Sequence, residues 1–192
     1  MTDLRDLVAE ELALPVDPRV TAFAKSIAAK HGEASRAVLF YGSCLRQKQL
    51  DGLMLDFYLI VSGYRAAYAK RWLAAANALI PPNVFHAEHD GLVAKYAVLS
   101  EEDFLRLAGP STGNVSVWAR FSQPARLVWK NDAKAQARVI DAVAQAAPTL
   151  LASAGPKPDE DILNLWRRAF ALTYSSELRA ERKYKGLSLI HI

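Results

Sequence analysis

Cysteine is almost missing from this sequence: Cys44 is the only one in 192 residues. A single thiol excludes an intramolecular disulfide and any cysteine-cluster metal site. Long apolar runs are missing as well. The longest, Leu53 to Val61, is interrupted by Asp56 and falls short of the ~20 residues that a membrane-spanning helix needs. The opening Met-Thr-Asp-Leu-Arg-Asp-Leu-Val-Ala-Glu-Glu is too acidic for a signal or transit peptide. There is no internal repeat, no low-complexity tract and no nucleic-acid recognition motif or strong basic stripe, so no nucleic-acid partner is expected. Together these absences point to a soluble intracellular protein.

What is present is a core-forming composition. Hydrophobic residues make up 52% and charged residues 23%, which excludes wholesale disorder. At roughly 100–200 residues per domain, the length suits one domain, or one with a small appendage. The net charge of +4 suits anionic partners such as nucleotides, phospholipid head groups or RNA, but it is too mild to select among them. The densest basic cluster, Arg179 to Lys185, reads as a solvated helix face. The final Leu187-Ser-Leu-Ile-His-Ile192 has no packing rationale and resembles an in-frame translation of a transposase-end sequencing adapter. The genuine sequence is therefore expected to be cut off near Lys185 or Gly186 as part of a longer protein, which leaves His191 without meaning. A natural apolar C-terminus is the alternative.

Along the chain, residues 4–13 read as a helix. Asp17-Pro18 opens a second helix that runs to about His31. Arg36 to Tyr41 and Leu53 to Val61 read as buried strands, and Arg65 to Leu79 as one helix ended by Pro81-Pro82. Asn83 to His89 and Leu92 to Leu99 form a strand pair turning at Asp90-Gly91. Ser100 then caps a helix, with Asp103 as the capping-box partner. Val115 to Phe121 is a short helix, Ala125 to Trp129 a strand, and Asp132 to Leu151 a long alanine-rich helix. Residues 153–158 are a linker, and Asp159 to Lys185 is helical. The expected fold class is α/β: a mixed sheet flanked by helices over 1–130, then a helical C-terminal domain over 131–186 that is cut short. Trp72, Trp118, Trp129 and Trp166 are expected in the core.

The chemistry concentrates at Tyr41-Gly42-Ser43 and at Asp56. A glycine where a strand meets a loop lets backbone N–H groups approach a phosphate, and a serine hydroxyl adds a donor. A carboxylate on the next strand is costly among Leu, Phe and Ile unless it has a task, and Mg²⁺ binding is one. Two carboxylates on one strand face would need residues two apart. Here Met54 and Tyr58 flank Asp56, so that pair is missing. Glu88, on the strand 83–89, is a candidate for a second metal ligand, with an exposed strand residue as the alternative; Asp51 is a further carboxylate to watch. His86 and His89 are three apart on a strand and face opposite ways, which argues against a zinc pair. Cys44 has no evident histidine partner and reads as a buried thiol.

The strand ending in Gly42-Ser43, followed by a strand bearing Asp56, resembles the nucleotidyltransferase superfamily that includes DNA polymerase β. Within it, the sequence resembles the mitochondrial-type phosphatidate cytidylyltransferases and their bacterial relatives. Lys95-Tyr-Ala-Val98 is similar to that family's Lys-Tyr-Gly-Val segment, Trp118 to Pro124 to its Gly-Arg-x-x-Lys-Pro segment, and Tyr174 to Arg179 to its Tyr-x-Gly-Asp-[Leu/Ile]-Arg segment. Pro81 to Phe85 falls where the bacterial relatives have a similar string. Departures from the pattern are Gln123 for lysine, Ala97 and Ala119 for glycines, and Glu177 for aspartate.

The resemblance implies Mg²⁺-dependent transfer of CMP from CTP to phosphatidic acid, giving CDP-diacylglycerol and pyrophosphate. It implies Tyr41, Gly42 and Ser43 on the phosphates, Asp56 and Glu88 on the metal, and Asp56, Lys95 and Arg120 as the catalytic set. A phosphatidic acid acceptor implies contact with a membrane surface, peripheral on the inner face of a bacterial membrane, for a protein otherwise cytoplasmic. Two alternatives stay open: transfer to a soluble or protein acceptor, and a catalytically inactive domain that only binds.

Overall fold

The computed structural model describes residues 3–47, 49–112 and 115–171. Helix α1 (Leu4–Leu12) is capped by Asp3. Helix α2 (Pro18–Lys30) starts where Asp17 accepts the Arg19 amide at 2.8 Å, with proline in its first turn. This is the arrangement that satisfies helix-start donors. A 3₁₀ turn leads into β1 (Ser35–Tyr41), and a second one, Ser43–Arg46, follows it before β2 (Met54–Val61).

The single helix expected over 65–79 is two helices, α3 (Tyr64–Ala67) and α4 (Arg71–Leu79), because Tyr68 and Lys70 are extended. The break has a local cause. The Tyr68 hydroxyl donates to Asn77 Oδ1 at 2.6 Å, and Asn77 in turn donates to the Val98 carbonyl at 3.1 Å. Satisfying these buried polar groups turns Tyr68 inward at the cost of helix continuity.

Strands β3 (Asn83–His89) and β4 (Leu92–Ser100) form the expected hairpin. Asp90 and Gly91 both have positive φ, 46° and 76°, as a tight two-residue turn requires. Ser100 accepts the Asp103 amide and caps α5 (Glu101–Ala108). Helix α6 (Ser116–Phe121), strand β5 (Ala125–Lys130) and helix α7 (Ala133–Ser153) follow, the last capped by Asp132. Residues 162–171 are also helical.

The sheet has the order β3-β4-β2-β1-β5, with β2 and β4 parallel and the other neighbours antiparallel. Alternation along the strands feeds two cores. Leu39, Tyr41, Tyr58, Ile60 and Leu99 face α1, α5, α6 and α7, while Phe40, Leu55, Phe57, Leu59 and Val98 face α2, α3 and α4. Each fully buried side chain of this size contributes about 1.5–3 kcal/mol. This is a mixed five-stranded sheet flanked by helices, the α/β class expected from the sequence.

Leu150 and Val139 of α7, with Leu165 and Ala169 beyond it, belong to the same apolar cluster as the sheet residues. All four lie within 131–186, the part expected to form a helical C-terminal domain. Residues 172–192, with the Tyr174–Arg179 match, the basic cluster and the suspected adapter tail, lie outside the described residues. Among the described residues, no helix is long and apolar enough to cross a membrane. Trp118 is buried and Trp129 and Trp166 are half-buried, but Trp72 is 65% exposed, against expectation. Ala74 and Asn77 are the inward residues of α4, and Trp72, two positions before Ala74, points the other way.

Candidate functional site

The pairing register builds the site. Tyr41 is opposite Asp56, Asp56 opposite Lys95, and Lys95 opposite His86, so one row crosses β1, β2, β4 and β3. Residues paired in this way share a face about 5 Å from their neighbours. Gly42 and Ser43 lie at the end of β1 beside this row, both exposed.

Asp56 is held at the rim of the core, with its side chain 20% exposed. Lys95, at 49% exposure, brings its Nζ to 3.3 Å from Asp56 Oδ1. The contact is an ion pair without hydrogen-bond geometry, and Oδ1 is a buried oxygen with no hydrogen-bond partner among the described residues. The other oxygen leans on Gly42. A Cβ at position 42 would sit 3.1 Å from Asp56 Oδ2, and Gly42 has φ of +91°. Glycine is required here for both reasons: the left-handed backbone and the close approach of the carboxylate.

Arg120 reaches the row from α6. Its guanidinium carbon lies 5.6 Å from the centre of the Tyr41 ring, within cation–π range. Burial pushes the Tyr41 hydroxyl well above its usual range, and Tyr58 and Asp56 add to the shift while Arg120 opposes it. Tyr41 therefore stays neutral at physiological pH and acts through its ring and O–H dipole. Behind it, Tyr58 and Phe121 pack against Tyr41 at centroid distances of 5.2 and 6.0 Å and hold the ring in place.

Tyr41, Gly42, Ser43, Asp56, Lys95 and Arg120 are thus neighbours of one row. Glu88 is not brought to Asp56. It lies exposed on β3, two strands away and two residue pairs on, opposite Val93; two strand spacings alone are about 10 Å. Asp51 is also elsewhere, paired with Arg19 at 3.0 Å. Among the described residues, no group of three or more His, Cys, Asp or Glu side chains could hold a metal.

Asp56 by itself still fits Mg²⁺ as one hard oxygen ligand. Its buried Oδ1 lacks a hydrogen bond, and Mg²⁺ commonly takes one or two carboxylates and completes its shell with substrate phosphates and water. Cys44 donates to the Met54 carbonyl at 3.4 Å, and burial pushes its thiol up, the opposite of an activated nucleophile. His89 packs its ring 5.6 Å from that of Phe23, on the opposite sheet face from His86.

His86 is the site-row residue that the sequence reading considered only as half of a zinc pair. Its place was legible. A two-residue turn at 90–91 pairs His89 with Leu92, and counting back three pairs puts His86 against Lys95.

No family model matches this sequence, and no curated protein does. Among solved structures, a nucleotidyltransferase-like protein from Exiguobacterium sibiricum 255-15 is similar at a TM-score of 0.41 and 11% identity, over 71% of this chain and 43% of that chain. The chain therefore spans less than half the length of that protein.

Proposed function

We propose that this chain is a Mg²⁺-dependent nucleotidyltransferase that moves CMP from CTP to phosphatidic acid. The observation that carries the transferase reading is Asp56: a buried carboxylate oxygen without a hydrogen bond, set against the exposed Gly42-Ser43 turn with Lys95 beside it. The choice of CTP and phosphatidic acid rests on the sequence resemblance around Lys95 and Arg120.

Ser43 donates its hydroxyl to a phosphate oxygen, and Gly42 lets the backbone come close to the triphosphate. Lys95 serves as a mobile point charge and Arg120 as a planar fork for phosphate oxygens. A phosphate oxygen of the acceptor attacks the α-phosphorus. The bond from that phosphorus to the bridging oxygen breaks, and pyrophosphate leaves with the electron pair. Asp56 would hold Mg²⁺, which would supply neutralisation of the triphosphate charge. The protein's part is positioning and electrostatics, with no covalent intermediate.

A second reading is favoured by a specific observation: the single carboxylate already carries an ammonium partner, as suits a domain that binds triphosphate without turnover. Labelled CTP, Mg²⁺ and vesicles containing phosphatidic acid separate the two, with wild type compared with Asp56→Asn. The transferase reading expects labelled CDP-diacylglycerol that falls about a hundredfold or more in the variant. Calorimetric CTP binding without product on any acceptor establishes the binding domain instead. Product on a soluble acceptor alone keeps the transferase and removes the lipid. No CTP binding overturns both readings.

A further inference from the structure

A second candidate site lies at the other end of the sheet and does not depend on the reading of Asp56. Helix α3 begins just past Val61, and Val61 is five residues beyond Asp56 along β2, or about 17 Å. Between α3 and α4 is a cavity of about 600 Å³ lined by Tyr64, Arg65, Tyr68, Arg71, Trp72 and alanines of α4. That volume falls within the range of small-molecule sites.

Three features give it a chemistry. First, charge: Arg65 and Arg71 have no carboxylate partner among the described residues, as is also true of Arg36, Arg46 and Arg167, but Arg65 and Arg71 both line this cavity. From Phe57 to Ala87 the sequence has no Asp or Glu at all, while Arg65, Lys70 and Arg71 are basic.

Second, the tyrosines present rings rather than free hydroxyls. Tyr64 donates to Asp103 at 2.6 Å and Tyr68 to Asn77 at 2.6 Å. Burial pushes Tyr64 up to about 12, so the ionised side chains lining the cavity at neutral pH are the arginines. Third, an apolar track leads out of the cavity. Trp72, at 65% exposure, and Leu79, at 80%, are seven apart on α4 with alanines between them, and Ile80 follows at 66%.

We propose that the α3–α4 cavity binds an amphiphilic anion, with its phosphate or carboxylate head on Arg65 and Arg71 and its apolar body along Trp72 and the outer face of α4. Unpaired arginines alone would suit inorganic phosphate, and an exposed tryptophan alone would suit any apolar surface. Their junction at one cavity requires both halves in one ligand. A free amphiphile and a lipid in a membrane share this chemistry.

The probe is decyl phosphate, kept monomeric and titrated by calorimetry and tryptophan emission. Decanol and inorganic phosphate serve as half-ligands. The expected result is binding at a single site with a blue shift that Trp72→Phe abolishes. Both half-ligands should bind at least about tenfold more weakly, and Arg65→Gln and Arg71→Gln should each weaken decyl phosphate about tenfold, the loss of a charge-assisted contact. Both arginines are exposed, and matching thermal melts establish that the variants fold. Sedimentation with phosphatidylcholine vesicles, with and without phosphatidylglycerol, identifies the source. Binding only to the anionic vesicles assigns a membrane lipid, and decyl phosphate binding without vesicle binding assigns a free amphiphile. Binding that both arginine variants leave unchanged overturns the proposal. So does the absence of binding to decyl phosphate and to vesicles, the outcome expected if a partner protein covers this face.

Discussion

Gly42 holds φ at +91° with its α-carbon pressed toward Asp56, and two independent constraints therefore fall on one residue. Gly42→Ala pays the left-handed backbone strain, of order 1–3 kcal/mol, and also pushes a methyl group to 3.1 Å from Asp56 Oδ2. Chemical denaturation is expected to show a loss in that range, and calorimetry with CTP a weaker affinity. A variant as stable as wild type would show that the turn relaxes freely. Lys95 is a different case. At 49% exposure its ion pair with Asp56 is mostly screened, so Lys95→Met should change stability by less than about 1 kcal/mol. On the proposed function, CTP affinity should fall about tenfold or more through loss of a phosphate contact. A large stability loss with unchanged CTP binding would make Lys95 structural. Gly42, Ser43 and Asp56 stand out in the sequence as candidates because glycine, serine and a carboxylate are conspicuous among apolar strands. That Asp56 Oδ1 pairs with Lys95 without a hydrogen bond was not legible, since it depends on what the neighbouring strand delivers.

Among the elements, the β3–β4 hairpin was readable in full, because Asp90-Gly91 sets both the turn type and the register. The break between α3 and α4 was not. An alanine-rich stretch has high helix propensity, and only the buried demands of Asn77 and Tyr68 override it. A similar contact ties α2 to its neighbours through His31. Its Nδ1 lies 3.0 Å from the Ala67 carbonyl and its Nε2 3.3 Å from the Tyr96 hydroxyl. A carbonyl only accepts, so Nδ1 carries the proton and Nε2 accepts from Tyr96. Burial holds His31 below its usual 6.5, with Lys30 adding to the effect and the Ala67 contact opposing it. The unfolded chain thus binds this proton more tightly than the folded one. The His31 contribution is complete above pH 6.5 and is lost as pH falls from there through the lowered folded value. Denaturation at stepped pH should show stability declining across that window, and His31→Gln should flatten the decline. A slope identical in the variant would assign the pH dependence to other groups.

For the whole molecule, the sharing of one core by the sheet and α7 has a consequence for cooperativity. Leu150 is fully buried in the cluster that also holds Leu39, Tyr58 and Phe121. Leu150→Ala should cost about 2–5 kcal/mol. Far-ultraviolet circular dichroism and tryptophan emission should then shift together in a single urea transition. Two separated transitions would mean that α7 unfolds as its own unit.

The sequence by itself determined the alternation that makes the strands, the caps at Asp17 and Ser100, the hairpin turn, and the pairing of a glycine-serine loop with a lone aspartate. All of these are local, encoded in residues a few positions apart. The tertiary structure alone decided what faces Asp56. The β3-β4-β2-β1-β5 order sets Lys95 beside it and leaves Glu88 two strands away, because strand order is chosen by how the two apolar faces are covered and not by any spacing along the chain. The same packing turns Ala74 and Asn77 of α4 inward, which leaves Trp72 outside, next to Arg65 and Arg71, which no carboxylate among the described residues neutralises.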